Sequence, residues 1–135
     1  WFKRHRLLGK RFYFAHCIHL NEEEIAQMAE TGTGVAHCPI SNMLLSSGAC
    51  PVPSYLEHGL TRIGLGVDGA ASSNSSNMLE EIRCAYLLNR LTWGDKAATP
   101  DDYLYMATAG GAKVLGRDDI GYLAPGMAAD FAQIS

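Results

Sequence analysis

The sequence lacks the features of a membrane protein and of a nucleic-acid-binding protein. No apolar run approaches the length that spans a bilayer, and the first residues do not follow the basic, apolar and small-residue order of a secretory signal. The formal net charge is -3, so no basic surface for nucleic acid is expected. We therefore expect a protein of the cytoplasm that binds neither membranes nor nucleic acids.

Three further absences exclude common kinds of functional site. Cysteine pairs of the Cys-x-x-Cys type are missing, which argues against a zinc knuckle or a redox dithiol and favours reduced, mostly buried thiols. The segment GLGVDG has neither the spacing of a dinucleotide fingerprint nor that of a P-loop. No serine lies in a Gly-x-Ser-x-Gly elbow. A phosphate cradle and a serine nucleophile of that type are therefore not expected.

A regular alternation of strands and helices is present instead. The 135 residues are 47% hydrophobic and 19% charged, which is compatible with one domain around a packed core. The patterns predict strands over residues 11–17, 34–38 and 61–68, helices over residues 21–32, 51–58, 77–91 and 99–109, and a loop over residues 39–50. Such an alternation implies parallel strands joined by right-handed crossovers, so the predicted fold class is α/β.

Short signals mark where the predicted elements begin and end. Asn21 with Glu24, and Asn77 with Glu80, have the spacing of capping boxes at helix starts. The pair Gly110–Gly111 is expected to break the last helix. Beyond it, a Pro125–Gly126 turn lies between two apolar stretches, which predicts that the chain leaves the helical layer and adds short strands elsewhere.

Three polar side chains stand at the ends of the three predicted strands. His16, His37 and Asp68 would meet at the carboxyl edge of a parallel sheet, where α/β barrels place their active sites. Imidazole and carboxylate are ligands that zinc or iron accept, and the same groups form an acid-base set around a bound water. Each histidine has the alternative of a structural, hydrogen-bonded role. Asp68 has the alternative of being satisfied by backbone N–H groups of its own turn.

Uncharged polar residues are predicted to line the same edge. Ser41, Asn42 and the turn over residues 72–77 offer hydrogen-bond donors and acceptors without charge, which suits a neutral, flat ligand better than a phosphate. His58 precedes Gly59 at a helix end, where a histidine complements the helix dipole, so we interpret it as structural. His19 is interpreted as a solvated loop residue.

Four segments carry a resemblance to a known family. They read AHCIHL, GVAHCPISNMLLSSGACPV, GLGVDGAASSNSSNMLEEIR and GGAKVLGRDDIGYLAPGMAADF. Together they resemble the C-terminal part of the amidohydrolase superfamily, in the branch of metal-dependent aminohydrolases that act on purine-like and triazine rings. Within that branch the segments are similar to those of the 8-oxoguanine deaminases, with hydroxyatrazine and related triazine hydrolases as near neighbours.

The resemblance implies a fold as well as a chemistry. That family has a (β/α)8 barrel and a small β-sandwich, so residues 1–116 would form part of the barrel and residues 117–135 would return toward the sandwich. His16, His37 and Asp68 would then end strands six, seven and eight. The family's His-x-His pair from strand one, its strand-five histidine and its proton-shuttling glutamate have no counterpart in this sequence. We therefore expect this chain alone to be an inactive fragment.

The resemblance also implies roles for individual residues. Asp68 matches an aspartate that ligates the metal and takes a proton from the hydrolytic water, and His16 matches a histidine that contacts the substrate. His37, Ser41 and Asn42 are predicted to bind the substrate. The implied cofactor is one divalent metal, zinc or iron.

For the intact protein the implied reaction is metal-dependent hydrolytic deamination of a purine-like ring of the 8-oxoguanine or guanine type, by an enzyme expected to be a homo-oligomer. The alternatives are an amino- or chlorohydrolase of triazine rings, a self-contained metal-binding module, and a non-catalytic structural remnant.

Overall fold

A sheet of three parallel strands lies at the centre of the computed structural model, which describes residues 1–134. The strands are β1 (Tyr13–Ala15), β2 (Gly34–His37) and β3 (Ile63–Leu65), in that order across the sheet. Ala15 is in register with Ala36, and His37 with Leu65. The predicted α/β class and the positions of the strands are confirmed. The specific assignment to barrel strands six, seven and eight stays a prediction.

Helices follow each strand. They are α1 (Glu22–Thr31), α2 (Pro39–Leu44), α3 (Val52–Glu57), α4 (Met78–Trp93), α5 (Pro100–Tyr105) and α6 (Gly111–Val114), with a 3-10 turn at Gly94–Lys96 and a π-helical turn at Met106–Gly110. Asn21 and Glu24 form the predicted capping box of α1. At α4, Asn77 caps through the N–H of Leu79, and the predicted capping box with Glu80 is not formed. No helix in residues 1–134 is long and apolar enough to cross a membrane.

The prediction of a loop over residues 39–50 is wrong in its first half, because α2 forms there. Pro39 stands at the first helical position, where its fixed φ suits a helix and its missing N–H costs nothing. The next N–H, of Ile40, is bonded by a carboxylate oxygen of Glu81 from α4. The start of α2 is therefore stabilised by a residue that lies far away in the sequence.

The predicted helix break at Gly110–Gly111 is also wrong. Both glycines have helical φ values, -63° and -58°, and the chain continues through the π-helical turn into α6. A Cβ added at Gly110 would lie 2.5 Å from the carbonyl oxygen of Ile63, and one added at Gly64 would lie 2.9 Å from the Cα of Gly111. These glycines allow the helix backbone to touch the backbone of β3.

The segment after α6 makes the predicted turn but not the predicted strands. Met127 N–H donates to the Ala124 carbonyl at 3.1 Å across Pro125–Gly126, and Ala128 N–H donates to Asp119 at 2.8 Å. Within residues 116–134 no strand forms. A strand requires a neighbour to satisfy its N–H and C=O groups, and β1–β3 do not extend to this segment. The return into a β-sandwich, and the division at residue 116, stay predictions.

The core lies between the sheet and the helices. Its fully buried side chains come from β2, β3 and the helices α1, α3, α4 and α5, and they include Val35, Ile63, Ile25, Tyr55, Ala85 and Tyr103. Cys38 and Cys50 are buried, Cys17 and Cys84 are half-buried, and all four are free thiols, as predicted. The Tyr55 hydroxyl donates to the Cys17 carbonyl, which fixes the chain just beyond β1. This packing places the carboxyl ends of the strands side by side.

Candidate functional site

Two of the predicted site residues follow strand ends in a strained backbone conformation. His16 directly follows β1 and has a φ of 66°; Asp68 follows β3 after Gly66 and Val67 and has a φ of 62°. Left-handed φ values cost a non-glycine residue about 1–3 kcal/mol and concentrate at functional sites. The turn at each strand end aims a polar side chain at the same edge of the sheet, where the two side chains meet.

The Asp68 carboxylate is held by three donors. Ser41 Oγ donates to Oδ2 at 2.5 Å, the Gly69 N–H donates to Oδ1 at 2.8 Å, and Ser72 Oγ donates to Oδ2 at 3.1 Å. These hydrogen bonds, that of Ser41 above all, lower the pKa of Asp68. The side chain is 32% exposed. Asp68 is therefore an accessible anion. Of the backbone N–H groups in its own turn, only that of Gly69 bonds to it.

His16 is oriented by an amide and faces Asp68. Its Nδ1 lies 2.7 Å from Oδ1 of Asn42, and because that oxygen only accepts, Nδ1 is the donor in this hydrogen bond. Its Nε2 then points to Asp68, 3.6 Å from Oδ2, and the ring is 36% exposed. The histidine thus presents one fixed nitrogen to the open side of the site.

His37 lies beside this group but is not joined to it by the same bonds. It ends β2, is 2% exposed, and its Nδ1 has no hydrogen-bond partner within residues 1–134. Burial, and secondarily the charge of His16, lower the pKa of His37 to about 4. It is a neutral imidazole at pH 7. The structure therefore unites His16, Asp68, Ser41 and Asn42, with His37 behind them.

Two histidines outside the site, His58 and His19, have the surroundings predicted for them. His58 Nδ1 donates to the Ser54 carbonyl at 2.9 Å, and its Nε2 lies 3.4 Å from Glu22. It caps the end of α3 as a structural residue. His19 is exposed. Neither lies among the groups that contact Asp68.

The donor set of this chain fits part of a metal site. Within residues 1–134 no cluster of three or more His, Cys, Asp or Glu side chains could hold a metal ion. Asp68 offers an accessible, unprotonated carboxylate, which is a suitable ligand for zinc or iron. The chain thus supplies one carboxylate ligand and a neighbouring imidazole, and a complete set requires ligands from beyond these residues.

Glu81 is a buried carboxylate, bonded to the helix that carries Ser41 and Asn42, that sequence reasoning missed. Its side chain is fully buried, its Oε2 accepts the Ile40 N–H at 3.1 Å, and its Oε1 has no partner in residues 1–134. Burial raises the pKa of Glu81. One signal was available: Glu81 has helical spacing to the apolar residues Met78 and Ala85, so it lies on the inward face of α4.

Several known proteins resemble this chain in sequence. The chain is 54% identical over 125 residues to the 8-oxoguanine deaminase of Pseudomonas aeruginosa, covering 93% of this chain and 28% of that protein. It is 52% identical over 117 residues to the 5-methylthioadenosine/S-adenosylhomocysteine deaminase of Pelotomaculum thermopropionicum, covering 86% and 27%.

The fold agrees with a solved structure as well. The atrazine chlorohydrolase of Arthrobacter aurescens TC1, complexed with zinc, superposes with a TM-score of 0.89 at 34% identity, covering 95% of this chain and 29% of that one. The chain therefore spans less than a third of the relatives it matches. Residues 3–135 match the model of the amidohydrolase family. The strand-end site and these matches agree with the resemblance in the sequence, and this chain belongs to the amidohydrolase family.

Proposed function

We propose that the full-length protein containing this chain is a metal-dependent hydrolase that deaminates a purine-like ring of the 8-oxoguanine or guanine type. One observation carries the proposal: an unprotonated Asp68 carboxylate lies beside an oriented His16 Nε2 at the open end of parallel strands. The 54% identity to an 8-oxoguanine deaminase supports the choice of ring. A cytoplasmic location and a homo-oligomeric state are further predictions of this proposal.

The side chains of the site support a hydrolytic step. Asp68 would be the carboxylate ligand, and the metal when bound lowers the pKa of water toward neutrality. Water oxygen bonds to the ring carbon that carries the amino group, and the C–N bond breaks to release ammonia and leave a carbonyl. Of the two water protons, one ends on the adjacent ring nitrogen and one on the ammonia. Asp68, kept ionised by its donors, accepts a proton in this transfer.

The neighbouring polar side chains take supporting roles in this proposal. His16 Nε2 is available to hydrogen-bond the substrate, and in the imidazolium form, with both ring nitrogens protonated, it would donate to the negative charge that develops on the substrate. Ser41 and Asn42 orient Asp68 and His16, since their side chains already bond to those two residues. The assignment of His37, Ser41 and Asn42 to direct substrate binding stays a prediction.

The test is ammonia release by the full-length protein from 8-oxoguanine, guanine, 5-methylthioadenosine and a hydroxytriazine, with zinc and iron content measured on the same sample. Rapid release from 8-oxoguanine or guanine with about one metal per chain supports the proposal. Metal without turnover of any purine contradicts the choice of ring. If neither metal nor turnover is found, the result favours the alternative of a non-catalytic structural remnant.

A triazine substrate is the second candidate. It is favoured by the superposition with the atrazine chlorohydrolase, whose TM-score is 0.89. Attack by water on a triazine carbon would likewise form a C–O bond and break the bond to chloride or an amine, with one water proton leaving with the displaced group, so the site residues keep their roles. Chloride release from a chlorotriazine that exceeds ammonia release from the purines would establish this alternative.

A further inference from the structure

The short helix α2 begins without a cap of its own. Cys38, at the cap position, makes no side-chain hydrogen bond to the helix, and Pro39 has no N–H. The N–H of Ile40 is instead bonded at 3.1 Å by Oε2 of Glu81, which belongs to α4. A carboxylate from another helix thus does the work that Ser, Thr, Asp or Asn does at ordinary helix starts.

Glu81 occupies a buried position where an apolar side chain would leave no polar atom without a hydrogen bond. Its side chain is fully buried on the inward face of α4, and Oε1 has no partner in residues 1–134. A buried acceptor without a partner costs about 1–3 kcal/mol. The hydrogen bond to α2 is the one interaction in the described chain that a leucine or methionine there could not make.

Two site contacts depend on where α2 lies. Ser41, the residue after Ile40, donates to Asp68 at 2.5 Å, and Asn42 holds Nδ1 of His16 at 2.7 Å. Both residues are fully buried, so they follow the helix backbone. We propose that Glu81 is a positioning residue: by capping α2 it holds Ser41 and Asn42 where they orient Asp68 and His16. The consequence for turnover rests on the proposed function.

Variants of Glu81 in the full-length protein separate this role from simple packing. Glu81→Gln keeps an acceptor for Ile40, whereas Glu81→Met keeps the volume and removes the acceptor. Asn89→Leu is the matched control: Asn89 is also buried on α4, and its Oδ1 accepts the Ala98 N–H at 3.1 Å, away from the site. The readouts are the melting temperature, the ring nitrogen signals of His16 in ¹⁵N-histidine spectra assigned with His16→Asn, and kcat and KM.

We expect Glu81→Met to shift the His16 Nδ1 signal and to lower kcat at least about tenfold, because small displacements of positioned groups are costly to rate. Glu81→Gln should stay within about threefold of the unchanged protein, and Asn89→Leu should lower the melting temperature while leaving His16 and kcat alone. If Glu81→Met behaves like Asn89→Leu, the proposal is wrong.

A replacement variant and a readout independent of turnover ensure that the experiment can overturn the proposed role of Glu81. If Glu81→Met does not fold, Glu81→Asp replaces it: a carboxylate one methylene shorter should move the same His16 signal, and an unmoved signal with unchanged kcat would overturn the proposal. The His16 spectra need no turnover. A failure of the proposed function therefore shows as absent activity in the unchanged protein, whereas a failure of the Glu81 role shows as an unmoved His16 signal.

Discussion

His16 and His37 stand on neighbouring strands and have opposite environments. The His16 ring is 36% exposed and bonds to Asn42, while His37 is 2% exposed with an unpartnered Nδ1. The first is open to a substrate. The second is confined to the neutral form at pH 7, because burial opposes its charge.

This difference predicts how stability depends on pH. The pKa of His37 is lowered from 6.5 to about 4 in the folded protein. The unfolded chain therefore binds the proton first, and the contribution of His37 is complete above pH 6.5 and is lost as the pH falls from 6.5 to about 4. At about 1.4 kcal/mol per pKa unit, the loss amounts to roughly 3 kcal/mol.

The measurement is the urea midpoint of the full-length protein between pH 7 and pH 4, together with the titration of the His37 ring by NMR. His37→Asn should flatten the pH dependence, while Asn89→Leu, which removes a buried side chain that does not titrate, should leave it unchanged. A His37 ring that titrates near pH 6.5 would contradict the prediction.

A local pattern carried the prediction that His16 and Asp68 lie together, because each follows a short apolar strand. Ser41 and Asn42 were predicted to lie in a loop at the same edge, but they belong to α2. The roles of all four residues stay predictions. The assignment of their roles rested on the family resemblance. Glu81 was missed because its importance lies in a contact with Ile40, 41 residues away, that no local pattern reveals.

At the scale of elements, the glycines at the contact between α6 and β3 are the most specific packing device. Gly110 lies where a Cβ would come within 2.5 Å of the Ile63 carbonyl and 3.0 Å of the Tyr105 carbonyl. Backbone atoms cannot rotate away as a flexible side chain can. The contact therefore fixes the helix on the strand that leads to Asp68.

Gly110→Ala should destabilise the full-length protein by at least about 2 kcal/mol, because overpacked cores force backbone shifts. Gly69→Ala is the control, since an added Cβ there meets no atom within 4 Å. Urea unfolding of both variants measures the difference. Equal midpoints for Gly110→Ala and Gly69→Ala would show that the helix and β3 do not touch as described.

Elements could be predicted from the sequence where local residues set their ends. Helix α1 was found because its capping box, Asn21 with Glu24, lies within the local sequence. Helix α2 was missed because its cap comes from another helix. The helix break at Gly110–Gly111 was predicted wrongly, because those glycines are needed for close contact between the helix backbone and β3 and not for a turn.

At the scale of the whole molecule, this 135-residue chain exposes many large apolar side chains. Trp1 is 77% exposed, Leu91 85% and Phe131 76%, and β1 and β3 have unpaired outer edges. Exposed apolar area and open strand edges favour association with other chains. The chain accounts for about 28% of the length of the 8-oxoguanine deaminase that it matches.

We therefore expect the 135-residue chain produced by itself to be insoluble or partly unfolded, and inactive. Size-exclusion chromatography and thermal melting followed by circular dichroism test this, with the full-length protein as the control. A monomeric product with a cooperative melting transition would contradict the expectation.

The proposed chemistry depends above all on Asp68 and His16, and one experiment on the full-length protein tests both: metal content and ammonia release from 8-oxoguanine for Asp68→Asn and His16→Asn, beside His58→Asn as the control. We predict that Asp68→Asn loses the metal and at least about a thousandfold in rate. His16→Asn should keep the metal and lose about a hundredfold, and His58→Asn should keep both. Asp68→Asn protein that retains its metal and its rate would contradict the proposed site.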